Sequence, residues 1–207
     1  MKILCAVAGA ALLASPAWSF ADTTVGCGQT IAVPLHTRET LRIDSRPAGL
    51  TIVGTDAEML RVTCTADDAD GAQLISMRLR ETAGVADLAI TGDYGAHGDL
   101  KIRVEVPRRT SLQVLMKAGE VDVDEVKGNK DIELAAGQIT VRGVHPGDYK
   151  QVDASVDIGE VNAPAWGADK GGFFRSFTRN TADGEYVLSA HVMTGQIDLL
   201  GSSETAE

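Results

Sequence analysis

Two carboxylates at equivalent positions are the first residues in this 207-residue chain that suggest chemistry. Glu120 and Glu160 each follow a glycine and precede a valine. A pair of carboxylates can supply the acid and the base that cleave a glycosidic bond, so a carbohydrate-active lyase or hydrolase is one alternative. However, Gln138 and Gln196 occupy the same position after two other glycines. The shared position favours a structural row of polar side chains, and we predict that the protein is not an enzyme.

Other groups that could bind a metal or act as nucleophiles lack the required spacing. None of the four histidines lies at ligand spacing from another, and Gly-x-Ser-x-Gly, zinc-protease and phosphate-loop motifs do not occur. Asp67, Asp68 and Asp70 precede a glycine without the spacing of a calcium loop, so a solvated turn is expected. We predict no cofactor and no metal site, and a cation-binding structural domain is a third, less favoured hypothesis.

Aromatic and basic residues concentrate in one segment, residues 163–186. Once a predicted leader is removed, five of the seven aromatic residues lie there, beside three basic residues. Exposed aromatic rings next to arginine often contact a partner. The alternative is that the rings cap a flank of the fold and shield open strand edges. The candidate binding residues are Trp166, Phe173, Phe174, Arg175, Phe177 and Arg179.

A repeat indicates which elements position these residues. Four glycines are each followed by Glu or Gln and then by Val or Ile, namely Gly119, Gly137, Gly159 and Gly195. Their spacings are 18, 22 and 36 residues, and the last is twice 18. A unit of about 18 residues is typical of a solenoid, in which each repeat pairs with its neighbours. We interpret segment 163–186 as an insertion between the third and fourth repeats.

Apolar residues alternate on both sides of each glycine and change parity across it. Alternation is typical of a half-buried strand, and the change of parity indicates a corner that keeps one face inward. Sixteen equivalent positions are apolar: Val114, Met116, Val121, Val123, Ile132, Leu134, Ile139, Val141, Ala154, Val156, Val161, Ala163, Ala190, Val192, Ile197 and Leu199. The sequence therefore predicts an all-β protein with a β-solenoid in its C-terminal half.

The organisation of the rest of the chain follows from composition. Residues 22–107 contain short alternating runs separated by glycine-rich turns, which predict less regular β-strands, either a sandwich-like layer or irregular repeats. Pro107 ends the last of these runs, so residues 108–201 are the predicted repeat region and 202–207 a polar tail. Residues 1–21 resemble a signal peptide with cleavage after Ala21. This leader predicts a periplasmic or secreted protein without a transmembrane segment in the mature chain.

The net charge indicates which classes of partner are disfavoured, and the cysteines indicate the cellular compartment. The net charge of −10 disfavours nucleic acid, because two polyanions repel each other. Cys27 and Cys64 remain after the predicted cleavage, and an even number of cysteines in an exported protein predicts a disulfide. The partner expected from these features is an envelope component or another protein.

The segment from Leu100 to Val144 resembles the DUF4097 family of bacterial proteins, whose members are also labelled adhesin or toast-rack domains. The similarity rests on Val104-Glu105-Val106-Pro107, on the glycine corners, and on the closing segment from Gly184 to Leu199. This resemblance implies an extracytoplasmic β-solenoid of the cell envelope and supplies no functional residues. We therefore expect a non-catalytic envelope or surface module that binds or scaffolds.

Overall fold

The computed structural model describes residues 22–46, 48–92 and 100–201, with the backbone alone at residues 48 and 169–174. In this part of the chain, thirteen strands form one open sheet, which confirms the all-β class. The strands are β1 Asp22–Gly26, β2 Ile31–Pro34, β3 Thr40–Ser45, β4 Ala48–Thr55, β5 Met59–Ala66, β6 Ser76–Thr82, β7 Val85–Thr91, β8 Leu100–Pro107, β9 Ser111–Asp124, β10 Lys130–Arg142, β11 Tyr149–Ala163, β12 Ala168–Asn180 and β13 Tyr186–Leu199.

The described helices are short. Helix α1 spans Ala69–Ala72, and single 3₁₀ turns lie at Pro146–Asp148 and Pro164–Trp166. Asp68, in the acidic cluster singled out above, accepts a hydrogen bond from the backbone N–H of Gly71 at 2.9 Å. This carboxylate therefore caps the first turn of α1. None of the helices in the described ranges is long and apolar enough to cross a bilayer.

The four glycine-containing strands pair in parallel and in register. Gly119 of β9 pairs with Gly137 of β10, which pairs with Gly195 of β13, which in turn pairs with Gly159 of β11. The spatial order differs from the chain order, because β13 fills the place between β10 and β11. The last strand, β13, therefore lies between β10 and β11, although these two strands precede it in the chain.

Each long strand bends at its glycine, as the change of parity predicts. The first half of β9 pairs with β3 and its second half with β4, so the two halves belong to different faces. All sixteen repeat positions are buried, at 3% exposure or less, and side chains from both halves belong to one hydrophobic core. The backbone φ angles at Gly119, Gly137, Gly159 and Gly195 lie between 124° and 150°, a region that favours glycine.

The N-terminal half continues the same sheet on both faces. On one face β7 pairs in parallel with β3, and β6 and β1 follow in antiparallel order. On the other face β8 pairs in parallel with β4, and β5 and β2 follow in antiparallel order. The two ends of the sheet thus differ, with antiparallel strands on both faces at one end and β12 alone at the other.

A disulfide joins Cys27, which follows β1, to Cys64 of β5, as the sequence predicted. The bond connects residues 37 apart in sequence and ties one face of the sheet to the other. Closing a loop of this length restricts the unfolded chain by about 4 kcal/mol in the chain-entropy description.

We therefore expect the double substitution Cys27→Ser and Cys64→Ser to lower the free energy of unfolding by about 4 kcal/mol. Urea unfolding monitored by circular dichroism, without reductant, measures this difference. Adding reductant to the parent protein is expected to reproduce the loss and to leave the variant unchanged. A variant as stable as the oxidised parent would contradict a stabilising role for the disulfide.

Candidate functional site

The segment that the sequence presented as an insertion forms an edge strand. Strand β12 lies at the end of the strand order and pairs only with β11, antiparallel, along its whole length. Gly172 of β12 lies opposite Gly159 of β11, so the added strand follows the bend of its neighbour. The aromatic segment is therefore part of the sheet, and β12 forms the edge of the sheet at this end.

Two of the predicted aromatic residues cap the core at this end. Phe177 lies opposite Ala154 of β11 and is 7% exposed, and Trp166 is partly buried against the core. The two rings contact each other with centroids 5.6 Å apart and planes tilted by 47°. Trp166 ends the 3₁₀ turn Pro164–Trp166, and Gly167 follows with φ of 66°. These two rings therefore pack against the core and against each other.

Two predicted arginines flank this cap. Arg175 and Arg179 lie opposite Val156 and Val152, which are inward-facing residues of β11. They share this face of β12 with Phe177, because side chains two residues apart point to the same side of a strand. Both arginines are nevertheless exposed, since β12 is the last of the described strands in the sheet order and no other described strand covers them.

Neither Arg175 nor Arg179 forms an ion pair with any described residue. The contrast with the rest of the chain is clear, because eight of the twelve arginines form ion pairs with carboxylates. The paired arginines are Arg38, Arg42, Arg61, Arg78, Arg80, Arg103, Arg108 and Arg142. Arg46 and Arg109 also form no ion pair with a described residue, so Arg175 and Arg179 are distinguished by their shared place on one face of an edge strand.

Phe173 and Phe174, the other two candidate aromatic residues, lie on β12, but their side chains fall outside the described part. By register, Phe173 is opposite Ile158 of β11. Ile158 is 48% exposed, and Met193 on the adjacent strand β13 is 53% exposed. Apolar side chains thus remain exposed near the bend at this end of the sheet. We use the name "β12 edge" for residues 173–180 of β12 together with Trp166.

A row of polar side chains runs across the bends. The residue that accepts their hydrogen bonds is Asp198, which its sequence position did not indicate. Asp198 is 8% exposed and accepts hydrogen bonds from three amides. These come from Gln138 at 2.6 Å, Asn162 at 2.9 Å and Gln196 at 2.8 Å. The two glutamines that follow glycines are therefore connected through the carboxylate of Asp198, which gives this part of the row a structural explanation.

We expect Asp198→Asn to lower the free energy of unfolding by about 2 kcal/mol, because its amide nitrogen would face donors that then lack an acceptor. Asp131→Asn, on an exposed position of β10, is the matched control and is expected to change stability little. Thermal or urea unfolding of both variants measures the difference. Equal stability of the two variants would show that the amides do not depend on the carboxylate.

The two glutamates that first suggested chemistry lie far apart. Strands β10 and β13 separate Glu120 on β9 from Glu160 on β11. Three strand spacings correspond to about 14 Å. Carboxylate pairs in glycoside hydrolases are separated by roughly 5 to 10 Å. The strand order therefore does not bring these carboxylates to a distance suited to cleavage of a glycosidic bond.

One serine–histidine contact lies on the outer face of the sheet. Ser155 Oγ and His191 Nδ1 are 3.0 Å apart on neighbouring strands. Glu133 is the register partner of His191 on the other side, yet it forms no ion pair with the imidazole. The pair lacks the orienting carboxylate of a catalytic triad among the described residues. Within the same part of the chain, no group of three His, Cys, Asp or Glu residues could hold a metal ion.

A buried lysine is the second feature that the sequence analysis did not identify. Lys130 is 1% exposed, and its Nζ donates to the Gly128 carbonyl at 3.0 Å and to the Tyr149 hydroxyl at 2.6 Å. Burial lowers the pKa of Lys130 to about 7, although the nearby charge of Asp148 acts in the opposite direction. Burial also raises the pKa of Tyr149, with a smaller contribution from Asp148. This pair lies inside the fold, at the start of β11 and close to the residues that end β12.

The arrangement defines an all-β protein with one open sheet, a closed core and an exposed edge strand. No protein-family model and no curated protein matches the chain. A structure from Clostridium sporogenes ATCC 15579, described as a "putative cell adhesion protein", aligns with a TM-score of 0.54 and 11% identity over 84% of this chain and 99% of its own. This similarity shows the fold alone.

A second structure, from Parabacteroides distasonis ATCC 8503, is described as a "putative lipid binding protein". It aligns with a TM-score of 0.21 and 13% identity over 56% of each chain. A similarity at this level carries no argument about fold or function.

Proposed function

We propose that this protein is a non-catalytic, extracytoplasmic module that binds or scaffolds a component of the cell envelope, or another protein, through its β12 edge. The observation that carries the proposal is the unpaired pair Arg175 and Arg179 on either side of the capped core. Two exposed guanidinium groups on one face of an edge strand, without an ion pair to any described residue, are available to a partner. The same end of the sheet exposes apolar side chains near its bend.

The extracytoplasmic location has three supports. The disulfide between Cys27 and Cys64 suits an oxidising compartment. Residues 1–21, which lie outside the described part, have the pattern of a leader peptide. The structural neighbour that covers most of this chain is described as a cell adhesion protein, a description consistent with a surface role.

We also propose that the C-terminal half is a β-solenoid of the DUF4097 type. The parallel, in-register pairing of β9, β10, β13 and β11 supports this description, as does the burial of every repeat position. A repeat stack needs a cap at its end, because an open core and an open edge favour aggregation. Trp166 and Phe177 supply the apolar part of that cap, while the backbone edge of β12 stays open.

Co-sedimentation of the mature protein with cell-wall sacculi and with membrane vesicles, tested separately, addresses the proposal. We expect the parent to sediment with one fraction and Arg175→Glu with Arg179→Glu to lose binding by about tenfold. The matched control is Arg46→Glu with Arg109→Glu, which makes the same charge change at two other exposed arginines that form no ion pair with a described residue.

Circular dichroism confirms that each of these proteins is folded. Binding that fails for the parent with both fractions would refute an envelope partner. Equal loss in the two double variants would show that net charge, and not the β12 edge, determines binding.

A further inference from the structure

We propose that the β12 edge binds an extended acidic peptide segment of a partner protein, which adds to the sheet as a further strand beside β12. This inference rests on the proposed binding function and specifies the partner and the mode of binding. The partner segment would carry acidic residues four positions apart, with an apolar residue midway between them.

The backbone of β12 selects a peptide. An edge strand presents alternating N–H and C=O groups along its free side, and β12 is 13 residues long with β11 as its one strand neighbour. Another peptide in extended conformation matches these donors and acceptors with the same period. A glycan or a lipid headgroup has no such regular alternation. The chemistry of the edge therefore favours a protein partner over the other envelope components.

The side chains select an acidic sequence. Arg175 and Arg179 are four residues apart on one face of β12, which corresponds to about 13 Å along the strand. Residues four apart on an added strand have the same separation, so two carboxylates can each meet one guanidinium. Paired Arg–carboxylate hydrogen bonds are among the stronger polar contacts. The residue midway between the carboxylates would lie beside Phe177, which favours an apolar side chain.

The other end of the sheet differs in the length of its edge strand and in the pairing of its charged side chains. Strand β1 has five residues, and its Asp22 is engaged by Arg78 at 2.9 Å and by Arg80 at 3.7 Å. Its charged groups are thus satisfied within the chain. The β12 edge combines a long strand with unpaired cations, and this combination among the described strands distinguishes it as the docking side.

Two charge effects act on a strand that approaches this edge. Charged side chains on an edge strand oppose pairing with a strand of the same charge, so Arg175 and Arg179 disfavour basic segments. The net charge of −10 also repels an acidic segment at long range. Salt at 0.15 M screens this repulsion beyond about 8 Å, whereas the direct pairs form at contact distance. Experiments at physiological ionic strength therefore separate the local attraction from the overall repulsion.

A charge-swap experiment tests the inference. The probes are a short threonine-rich peptide with glutamate, valine and glutamate at alternate positions, and the same peptide with lysines replacing the glutamates. We expect the parent to bind the glutamate peptide at least about tenfold more tightly than the lysine peptide, measured by fluorescence anisotropy. Arg175→Glu with Arg179→Glu is expected to reverse this preference, and Arg46→Glu with Arg109→Glu is expected to retain the parental preference.

A glutamate peptide that does not bind the parent, or a preference that Arg175→Glu with Arg179→Glu leaves unchanged, would overturn the inference. Arg175→Gln with Arg179→Gln provides a variant without reversed charge, and it is expected to lose the preference without gaining the opposite one. Failure of strand addition is distinguishable from failure of the proposed binding function. A protein that sediments with an envelope fraction but binds neither peptide would still bind the envelope, although not by strand addition.

Discussion

Replacing Gly195 with alanine is expected to lower the free energy of unfolding by more than about 3 kcal/mol. Gly195 has a φ of 150° and lies between Gly137 and Gly159 at the bend of the sheet. A methyl group at this position would overlap the backbone carbonyl oxygen of Gly137. A backbone atom inside a central strand cannot rotate away, so the sheet itself must shift. The unfavourable φ and the overlap both destabilise the folded state of the variant, and their costs add.

Two other glycines separate these contributions. Gly84 lies in the turn between β6 and β7 with a φ of 80°, and an added methyl group would meet nothing within 4 Å. Gly84→Ala is therefore expected to cost about 1 to 2 kcal/mol from the backbone conformation alone. Gly147 has neither constraint, and Gly147→Ala is expected to be neutral. Urea unfolding of the three variants measures the series, and a Gly195→Ala cost no larger than that of Gly84→Ala would contradict the packing of the bends.

The second large effect is a rise in stability with pH that depends on Lys130. Its pKa is about 7 in the folded protein and 10.5 in a model unfolded chain. Between these values the unfolded state binds the proton and the folded state does not, so the free energy of unfolding increases with pH. The full difference corresponds to an effect on the order of 5 kcal/mol. Below pH 7 both states are protonated and the slope from this group disappears.

Tyr149 limits the upper end of this window. Its pKa is raised in the folded protein, so above about pH 10 the unfolded state loses a proton that the folded state retains. Stability from this group therefore falls with pH in that range, so the combined contribution of the pair to stability is largest slightly above about pH 10.

The substitution Lys130→Met is expected to remove most of the rise between pH 7 and 10, since no buried amine remains to titrate. Lys150→Met, at an exposed position of β11, is the control and is expected to follow the parent. Denaturant unfolding of the three proteins at several pH values gives the curves. A parental slope that persists in Lys130→Met would show that another group titrates.

The repeat allowed much of the C-terminal fold to be predicted. Alternation of apolar residues is set by the two-residue period of a strand, so the inward positions followed from spacing alone. Val121 and Ile197, for example, were predicted to point inward and are both buried. The glycine corners were equally visible, because the parity change requires a bend at that residue. The Cys27–Cys64 disulfide followed from the number of cysteines and is present in the structure.

The strand order was not predictable from the same pattern. Strands with nearly identical repeats are equivalent partners for one another, so spacing does not decide which of them are neighbours. The connection after β11 decides it here, because β12 turns back antiparallel and β13 then enters between β10 and β11. This return also explains the interval of 36 residues, which contains an antiparallel strand in place of a loop.

The buried polar groups illustrate a second limit. Lys130 lies two residues before Ile132, on the inward side of β10, and its register partners are Leu112 and Leu188. Extending the alternation by one step would have indicated an inward lysine. Asp198 differs, because it lies on the outer side of its strand, where alternation predicts exposure. Its burial depends on amides from neighbouring strands, which only the spatial order brings together.

For the candidate site, the composition of residues 163–186 indicated which residues to consider, but their conformation could not be predicted from the sequence. The sequence indicated Trp166 and Phe177 as either cap or contact residues. Phe177 packs on the core opposite Ala154 of β11, and Trp166 contacts its ring. Arg175 and Arg179 were selected for their charge, but their shared face and their lack of ion pairs became visible only in the strand register. A partner for residues 173–180 remains the proposal that these features support.

Hydrogen exchange of the mature protein, with and without the envelope fraction that it sediments with, is the most direct measurement of this account. We expect the bound protein to gain amide protection in residues 173–180 of β12, because a partner on this edge would cover its free N–H groups. Strands β1 and β2, at the opposite end of the sheet, are expected to exchange as in the free protein. Protection confined to β1 and β2, or an unchanged exchange rate at β12 in the bound protein, would contradict binding through the β12 edge.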